Sequence, residues 1–198
     1  MSKILVTYAT MSGSTAGAAL AIGEELLHLG KEVDILPLEK VIDPAEYGAM
    51  IIGAPMVMGW HRSALKFLRQ HRAALQRIPL AIFVTALSLT STGEKEVNDV
   101  SLCVDGNLAK APQNSHRPNL KERYSNIRRY AAPILKAAQP ARPVSLAFFG
   151  GSLDYRRLKI PALLFVMVVI RTQAGDRRNW QAIRSWAQSL PALFSPIQ

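Results

Sequence analysis

Four hydroxyl side chains and a glycine fall within one short stretch, Thr10-Met11-Ser12-Gly13-Ser14-Thr15. Hydroxyls donate hydrogen bonds to anions, and glycine lets a backbone turn closely around a ligand. The stretch follows a strand-like apolar run, Ile4-Leu5-Val6-Thr7-Tyr8, and precedes a helix-like run from Ala16 to Leu29. Strand, glycine turn and helix together make a phosphate site, because N–H groups and the positive end of the helix dipole meet there. The loop is not a P-loop, since no Gly-Lys-Ser/Thr follows at the needed spacing. It also lacks the G-x-G-x-x-G dinucleotide fingerprint. Hydroxyls without Lys or Arg suit a phosphate whose charge is met by backbone donors. The same residues also suit an ordinary Ser/Thr-rich helix start.

Three further loops carry residues of interest. In Ala54-Pro55-Met56-Val57-Met58-Gly59-Trp60-His61, Gly59 and Trp60 offer a flat apolar wall and His61 a hydrogen bond to a ligand edge. The plainer reading is a packed Trp60, with His61 at a helix start. Thr85-Ala86-Leu87-Ser88 presents backbone amides, and Gly150-Gly151-Ser152-Leu153-Asp154-Tyr155 follows the last strand-like run. Next come Arg156, Arg157 and Lys159, an apolar run from Ile160 to Ile170, and Arg171. That run is too short to span a bilayer. Apolar residues beside cations suit peripheral attachment to an anionic membrane or the mouth of a lipophilic-substrate groove. They also suit a buried helix or an interface between copies, so a homo-oligomer is among the expectations. No side-chain nucleophile and no metal cluster is expected: Cys103 is the only cysteine and reads as a small buried hydrophobe.

The elements that must hold these loops follow from periodicity. Strands are expected at 3–8, 31–36, 49–53, 80–85 and 144–149. The first helix should bury Ala16, Ala19, Leu20, Gly23, Leu26 and Leu27, and Gly30 should end it. Further helices are expected over Ser63–Gln76 and from the capping-box pair Asn119 and Glu122 to about Ala138. A last helix begins near Asp176, with Trp180, Ile183, Trp186, Ala187 and Leu190 inward. Residues 86–118 form a long connection. Five buried strands alternating with helices predict one doubly wound α/β domain over 1–198 with a parallel sheet. Ligands of such sheets bind beyond the carboxyl ends of the strands.

Composition agrees with a globular chain: 198 residues, 49% hydrophobic and 19% charged. Met1-Ser2-Lys3 runs straight into the first strand with no signal-peptide pattern, which leads to the expectation of a cytoplasmic protein. The net charge of +10 favours anionic partners. A nucleic-acid role has only that charge behind it, without a stacking platform or recognised motif, and none is expected.

The Thr10–Thr15 loop resembles the Thr/Ser-x-Thr/Ser-Gly-x-Thr signature with which flavodoxins hold the phosphate of FMN. With the Gly53–Phe67 block, Gly150–Tyr155 and Gly175-Asp176-Arg177-Arg178-Asn179-Trp180, the chain is similar to the flavodoxin-type, quinone-dependent protoporphyrinogen IX dehydrogenases over nearly its whole length. The basic and apolar segment at about 156–174 is what separates that subfamily from plain flavodoxins. The resemblance implies a flavodoxin-like five-stranded sheet in the order 2-1-3-4-5, and FMN as cofactor. It implies electron transfer from a porphyrinogen or another small organic donor to a membrane quinone, on the inner face of the cell membrane. The implied FMN contacts are Thr10, Met11, Ser12, Gly13, Ser14 and Thr15 at the phosphate. At the ring they are Met58, Gly59, Trp60, His61, Thr85, Ala86, Leu87, Gly150 and Gly151. Arg156, Arg157 and Lys159 would steer propionates. The basic charge departs from small electron-carrier flavodoxins, which are typically acidic. A carrier docking on an acidic protein, and a flavin-free interaction module, are the alternatives.

Overall fold

The computed structural model describes residues 3–57, 59–114, 117–153 and 175–194. In chain order these form β1 (Ile4–Tyr8), α1 (Ser14–His28), β2 (Val33–Pro37), β3 (Ala49–Met56), α2 (Arg62–Gln70), α3 (Arg72–Leu75) and β4 (Leu80–Ala86). The connection after β4 holds β5 (Leu89–Thr90), β6 (Glu96–Val97), β7 (Val100–Val104) and β8 (Ala109–Lys110). Then come α4 (Leu120–Tyr124), α5 (Ile127–Ala138), β9 (Ser145–Gly150), β10 (Ser152–Leu153), β11 (Gly175–Asp176) and α6 (Trp180–Leu193).

The main sheet has the order β2-β1-β3-β4-β9-β7-β6. Its first five members are the predicted strands in the predicted order, and all their pairings are parallel. The expected five-stranded sheet is extended by two further strands among the described residues. β7 adds to β9 in parallel and β6 pairs back on β7 antiparallel. The hairpin between them turns at Asn98 and Asp99, with φ of 50° and 60°, which short polar side chains tolerate. Val100 to Val104 lies next to the short outermost strand β6 with Ser101 exposed, so it lacks the continuous apolar run that marks a central strand.

Two cores cover the two faces. Leu5, Met50, Val84 and Phe148 point to one, under α2 and α5, while Val6, Ile51, Phe83 and Phe149 point to the other, under α1 and α6. The alternation along each strand is the pleat. α1 buries Ala18, Ala19, Ala21, Ile22 and Leu26, whereas Leu20 and Leu27 are 48% and 49% exposed. The buried stripe is thus rotated from the one predicted, towards the small residues that let α1 approach the sheet. Gly30 ends α1 as expected: its N–H donates to Leu27 and that of Lys31 to Leu26, a Schellman closure. The predicted helix over 119–138 is two helices. Asn119 and Glu122 form the capping box of α4, and Asn126 caps α5 afresh through the Arg128 and Arg129 amides. Trp180 is exposed, in the first turn of α6, beneath the Arg178 guanidinium at 4.4 Å. Asn179 is the cap of α6, so that helix starts later than Asp176.

Candidate functional site

The carboxyl ends of the central strands are level. Met56, Ala86 and Gly150 sit side by side in the register of β3, β4 and β9. β1 ends three residues lower, at Tyr8 opposite Gly53. The chain leaves β1 outward to β2 and returns inward to β3, so the order reverses above the end of β1. The Thr10–Thr15 loop occupies that point.

The start of α1 leaves backbone donors without a side-chain cap. Its cap residue is Gly13, in the left-handed region at φ 88°, and no side chain caps the helix. The first intrahelical bond runs from the Gly17 N–H to the Gly13 carbonyl at 3.1 Å. The N–H groups of Ser14, Thr15 and Ala16 therefore have no acceptor within the helix. Four hydroxyls around them are engaged so that three O–H hydrogens are left over. Thr10 Oγ1 accepts from the Gly13 N–H at 2.9 Å, and Ser14 Oγ accepts from the Ser152 N–H at 2.7 Å. Thr15 and Thr85 share one hydrogen bond between their hydroxyls at 2.8 Å, fully inside the protein. One O–H of that pair remains to donate.

A crevice of about 30 Å³ lies over this loop. Of the residues singled out in the sequence, Thr10, Met11, Ser12, Ser14, Thr15, Thr85, Ala86, Leu87 and Gly151 border it. Pro55, Met56, Val57 and Ser152 join them without having been singled out. Among the described residues, no acid, lysine or arginine borders it, and the donors they offer are neutral N–H and O–H groups. That donor set fits the phosphate of FMN. The volume is room for about one or two waters, and Met11, Val57 and Leu87 are among the apolar residues that border it.

The remaining predicted residues fall elsewhere. Met58 lies outside the described residues, as do Arg156, Arg157, Lys159 and the apolar run from Ile160 to Ile170. Trp60 is 2% exposed and packed in the core, its indole N–H donating to the Ala54 carbonyl at 3.1 Å. The expectation that it walls the ligand is corrected: a short antiparallel bridge between Met56 and Trp60 folds the loop back on itself and takes the indole inward. Gly59, at φ 111°, makes that reversal and meets the phenol of Tyr124 through its backbone. His61 stands at the start of α2, its Nδ1 2.7 Å from Ser63 Oγ, and burial pulls its pKa below the usual imidazole value. Neither Gly59, Trp60 nor His61 borders the crevice.

Sequence reasoning misses Asp105, which organises the far wall. It is 1% exposed. Its carboxylate accepts from the Gly150 N–H at 3.2 Å, the Asn107 N–H at 2.9 Å and Asn179 Nδ2 at 3.0 Å. It ties the end of β9 to the turn after β7 and to the cap of α6. The residue sits in a connection that shows no periodicity, and only its Asp-Gly-Asn context, a turn signal, marks it. Gly150 is held from the other side as well, since a β-carbon there would overlap the Arg177 carbonyl oxygen. Gly151 donates to the Ala86 carbonyl at 2.9 Å and accepts from the Arg177 N–H at 3.2 Å. Gly150 itself borders a second cavity on the other side of Leu87. Cys103 is half-buried on β7, and burial raises its thiol pKa, so it is a poor nucleophile. Among the described residues there is no metal-binding group and no helix long and apolar enough to cross a membrane.

A profile of the Flavodoxin domain family matches residues 5–179. Protoporphyrinogen IX dehydrogenase (quinone) of Escherichia coli strain K12 is 21% identical over 202 residues, covering 96% of this chain and 96% of the relative. Among solved structures, the flavodoxin of Streptococcus pneumoniae TIGR4 superposes with a TM-score of 0.50 at 11% identity, over 96% of this chain and 98% of that one. Flavodoxin 2 of Bacillus cereus gives 0.47 at 15% identity, over 97% and 99%. The structural likeness shows the fold alone. The family match spans most of the chain, and with it the strand order and the loop over β1: the chain belongs to the flavodoxin-domain family.

Proposed function

We propose that this protein is an FMN-dependent oxidoreductase that takes electrons from a small organic donor, in the manner of a protoporphyrinogen IX dehydrogenase, and delivers them to a membrane quinone. The observation that carries the reading is the uncapped start of α1 under a crevice of neutral donors, at the point where strand order reverses. The choice of donor and acceptor is supported by the full-length likeness to the Escherichia coli enzyme.

FMN, when bound, supplies the redox chemistry; the protein supplies binding, orientation and a dry wall. The N–H groups of Ser14, Thr15 and Ala16 hold the phosphate, with the hydroxyls of Thr10, Ser14 and the Thr15–Thr85 pair as further donors. The helix dipole favours that charge without a cation beside it. Met11, Val57 and Leu87 exclude water from one side of the ring. Asp105 fixes the Gly150 amide, and through it the loop beside the ring. No side chain of the site needs to act as nucleophile. Delivery to a quinone calls for contact with a membrane surface, for which the net charge of +10 is suited.

The test is an absorbance spectrum of the protein loaded with FMN, followed during anaerobic addition of protoporphyrinogen IX and then of a quinone. Flavin bands that bleach and return are expected. Bands that stay unbleached would send the search to other donors, and absence of bound flavin would overturn the reading of the Thr10–Thr15 loop.

A further inference from the structure

β10 and β11 pair antiparallel, Ser152 with Asp176 and Leu153 with Gly175. They hold the two ends of the 154–174 stretch side by side, and the Arg177 N–H donates to the Gly151 carbonyl beside them at 3.2 Å. This clip rests on the first turn of α1 at two points. From β10, the Ser152 N–H donates to Ser14 Oγ at 2.7 Å. From the residues after β11, the Arg178 guanidinium lies against Gly17, where a β-carbon would overlap it. Arg178 is itself locked. Its backbone N–H and its Nε donate to the Asp176 carboxylate at 3.0 and 2.8 Å, and its guanidinium covers the Trp180 ring at 4.4 Å. Its side chain is 18% exposed.

Ser14 is buried and borders the phosphate crevice. Its Oγ accepts from Ser152, and among the described residues no acceptor takes its own hydrogen. A hydroxyl that accepts one hydrogen bond is polarised by it and donates the next more strongly. The accepted bond also limits the directions in which the O–H can turn. Asp176 and Arg178 do not border the crevice, so their effect on a ligand there passes through Ser152 and Gly17.

We propose that the β10–β11 clip is a positioning element for the phosphate loop. Ser152 sets the Ser14 hydroxyl as a donor to the phosphate, and Arg178, locked by Asp176, seats the clip on α1. The inference rests on the function proposed above, because the phosphate is that of FMN. By linkage, a phosphate on Ser14 tightens the Ser152 bond to the extent that this bond favours the phosphate. Charge alone gives the opposite sign at one position. Asp176 is an anion, and its removal would favour a phosphate if the two interacted only through space.

FMN, and riboflavin, which lacks the phosphate, are titrated by flavin fluorescence into wild type, Asp176→Ala and Arg178→Ala. Both substitutions should weaken FMN about two- to tenfold, as for loss of one hydrogen bond, and leave riboflavin unchanged. Exchange of the Ser152 amide is read by NMR in ¹⁵N-labelled wild type with inorganic phosphate, FMN or riboflavin. Phosphate and FMN should slow it, and riboflavin should not. FMN bound as tightly by both variants as by wild type, or more tightly by Asp176→Ala, would overturn the positioning role. Equal losses of FMN and riboflavin would overturn it too, since they mark a merely structural part. A wild type that binds FMN with no change at Ser152 would overturn the proposal and leave the flavin function standing. A wild type that binds no flavin, with phosphate still slowing Ser152, would remove the flavin function and leave the role of the clip standing.

Discussion

Replacing Asp105 by alanine should destabilise the fold and loosen the loop beside the flavin together. The carboxylate is 1% exposed and accepts three hydrogen bonds, from Gly150, Asn107 and Asn179. Gly150 is buried, so its orphaned N–H costs about 1–3 kcal/mol. Asn107 is exposed and Asn179 half-buried, and water can replace part of what they lose, at about 0.5–1.5 kcal/mol each. The sum is about 2–6 kcal/mol. At about 2–4 °C per kcal/mol for a chain of this size, Tm should fall by roughly 4–24 °C. Asp105→Asn keeps one acceptor oxygen and turns an N–H₂ group towards one of the donors, so about half the loss is expected. Urea denaturation monitored by tryptophan fluorescence measures both variants. A loss below about 1 kcal/mol in Asp105→Ala, which is within the range of an ordinary surface substitution, would refute the claim that this carboxylate holds the wall.

Gly150→Ala should cost about 2–4 kcal/mol, because the new methyl meets the Arg177 backbone carbonyl, which cannot swing away like a side chain; thermal melts check it. Thr7→Val should raise stability by about 1 kcal/mol, since Thr7 Oγ1 is buried without a hydrogen-bond partner among the described residues and valine has the same shape. An unchanged or lower Tm in that variant would contradict it. His61 has a folded pKa below its unfolded value because of burial, so the unfolded chain binds the extra proton first. Its contribution is complete above about pH 6.5 and is lost as pH falls through the folded pKa. Tm followed against pH in wild type and His61→Gln should therefore show a steeper acid decline in the wild type.

The legible parts of the sequence were those with a strong local signal. Continuous apolar runs such as Ala49–Gly53 and Leu80–Thr85 are strands buried on both faces, and they are where the runs predict. The Thr10–Thr15 loop stands out because hydroxyls, a glycine and a strand-to-helix change coincide. Trp60 was misplaced because an aromatic residue reads alike whether it covers a ligand or the core. The Met56–Trp60 bridge that turns it inward depends on the backbone of Gly59. β7 lacks a strong signal because only Val100 of its five residues is buried. Asp105 escaped for a different reason. Its role is to join three segments distant in sequence, and nothing local to it records the two donors from Gly150 and Asn179. Leu20 and Leu27 show that helical spacing alone does not choose between neighbouring stripes when small residues allow a closer approach.

The most direct test of the central claim is a fluorescence titration of FMN with wild-type protein and with Gly13→Asp. The substitution puts a carboxylate at the uncapped start of α1, where the phosphate is proposed to bind. Circular dichroism of both proteins confirms that the fold is retained. Saturable binding of one FMN per chain is expected for the wild type and none for the variant at the same concentrations. Stoichiometric FMN in Gly13→Asp, or no saturable binding in the wild type, would contradict it.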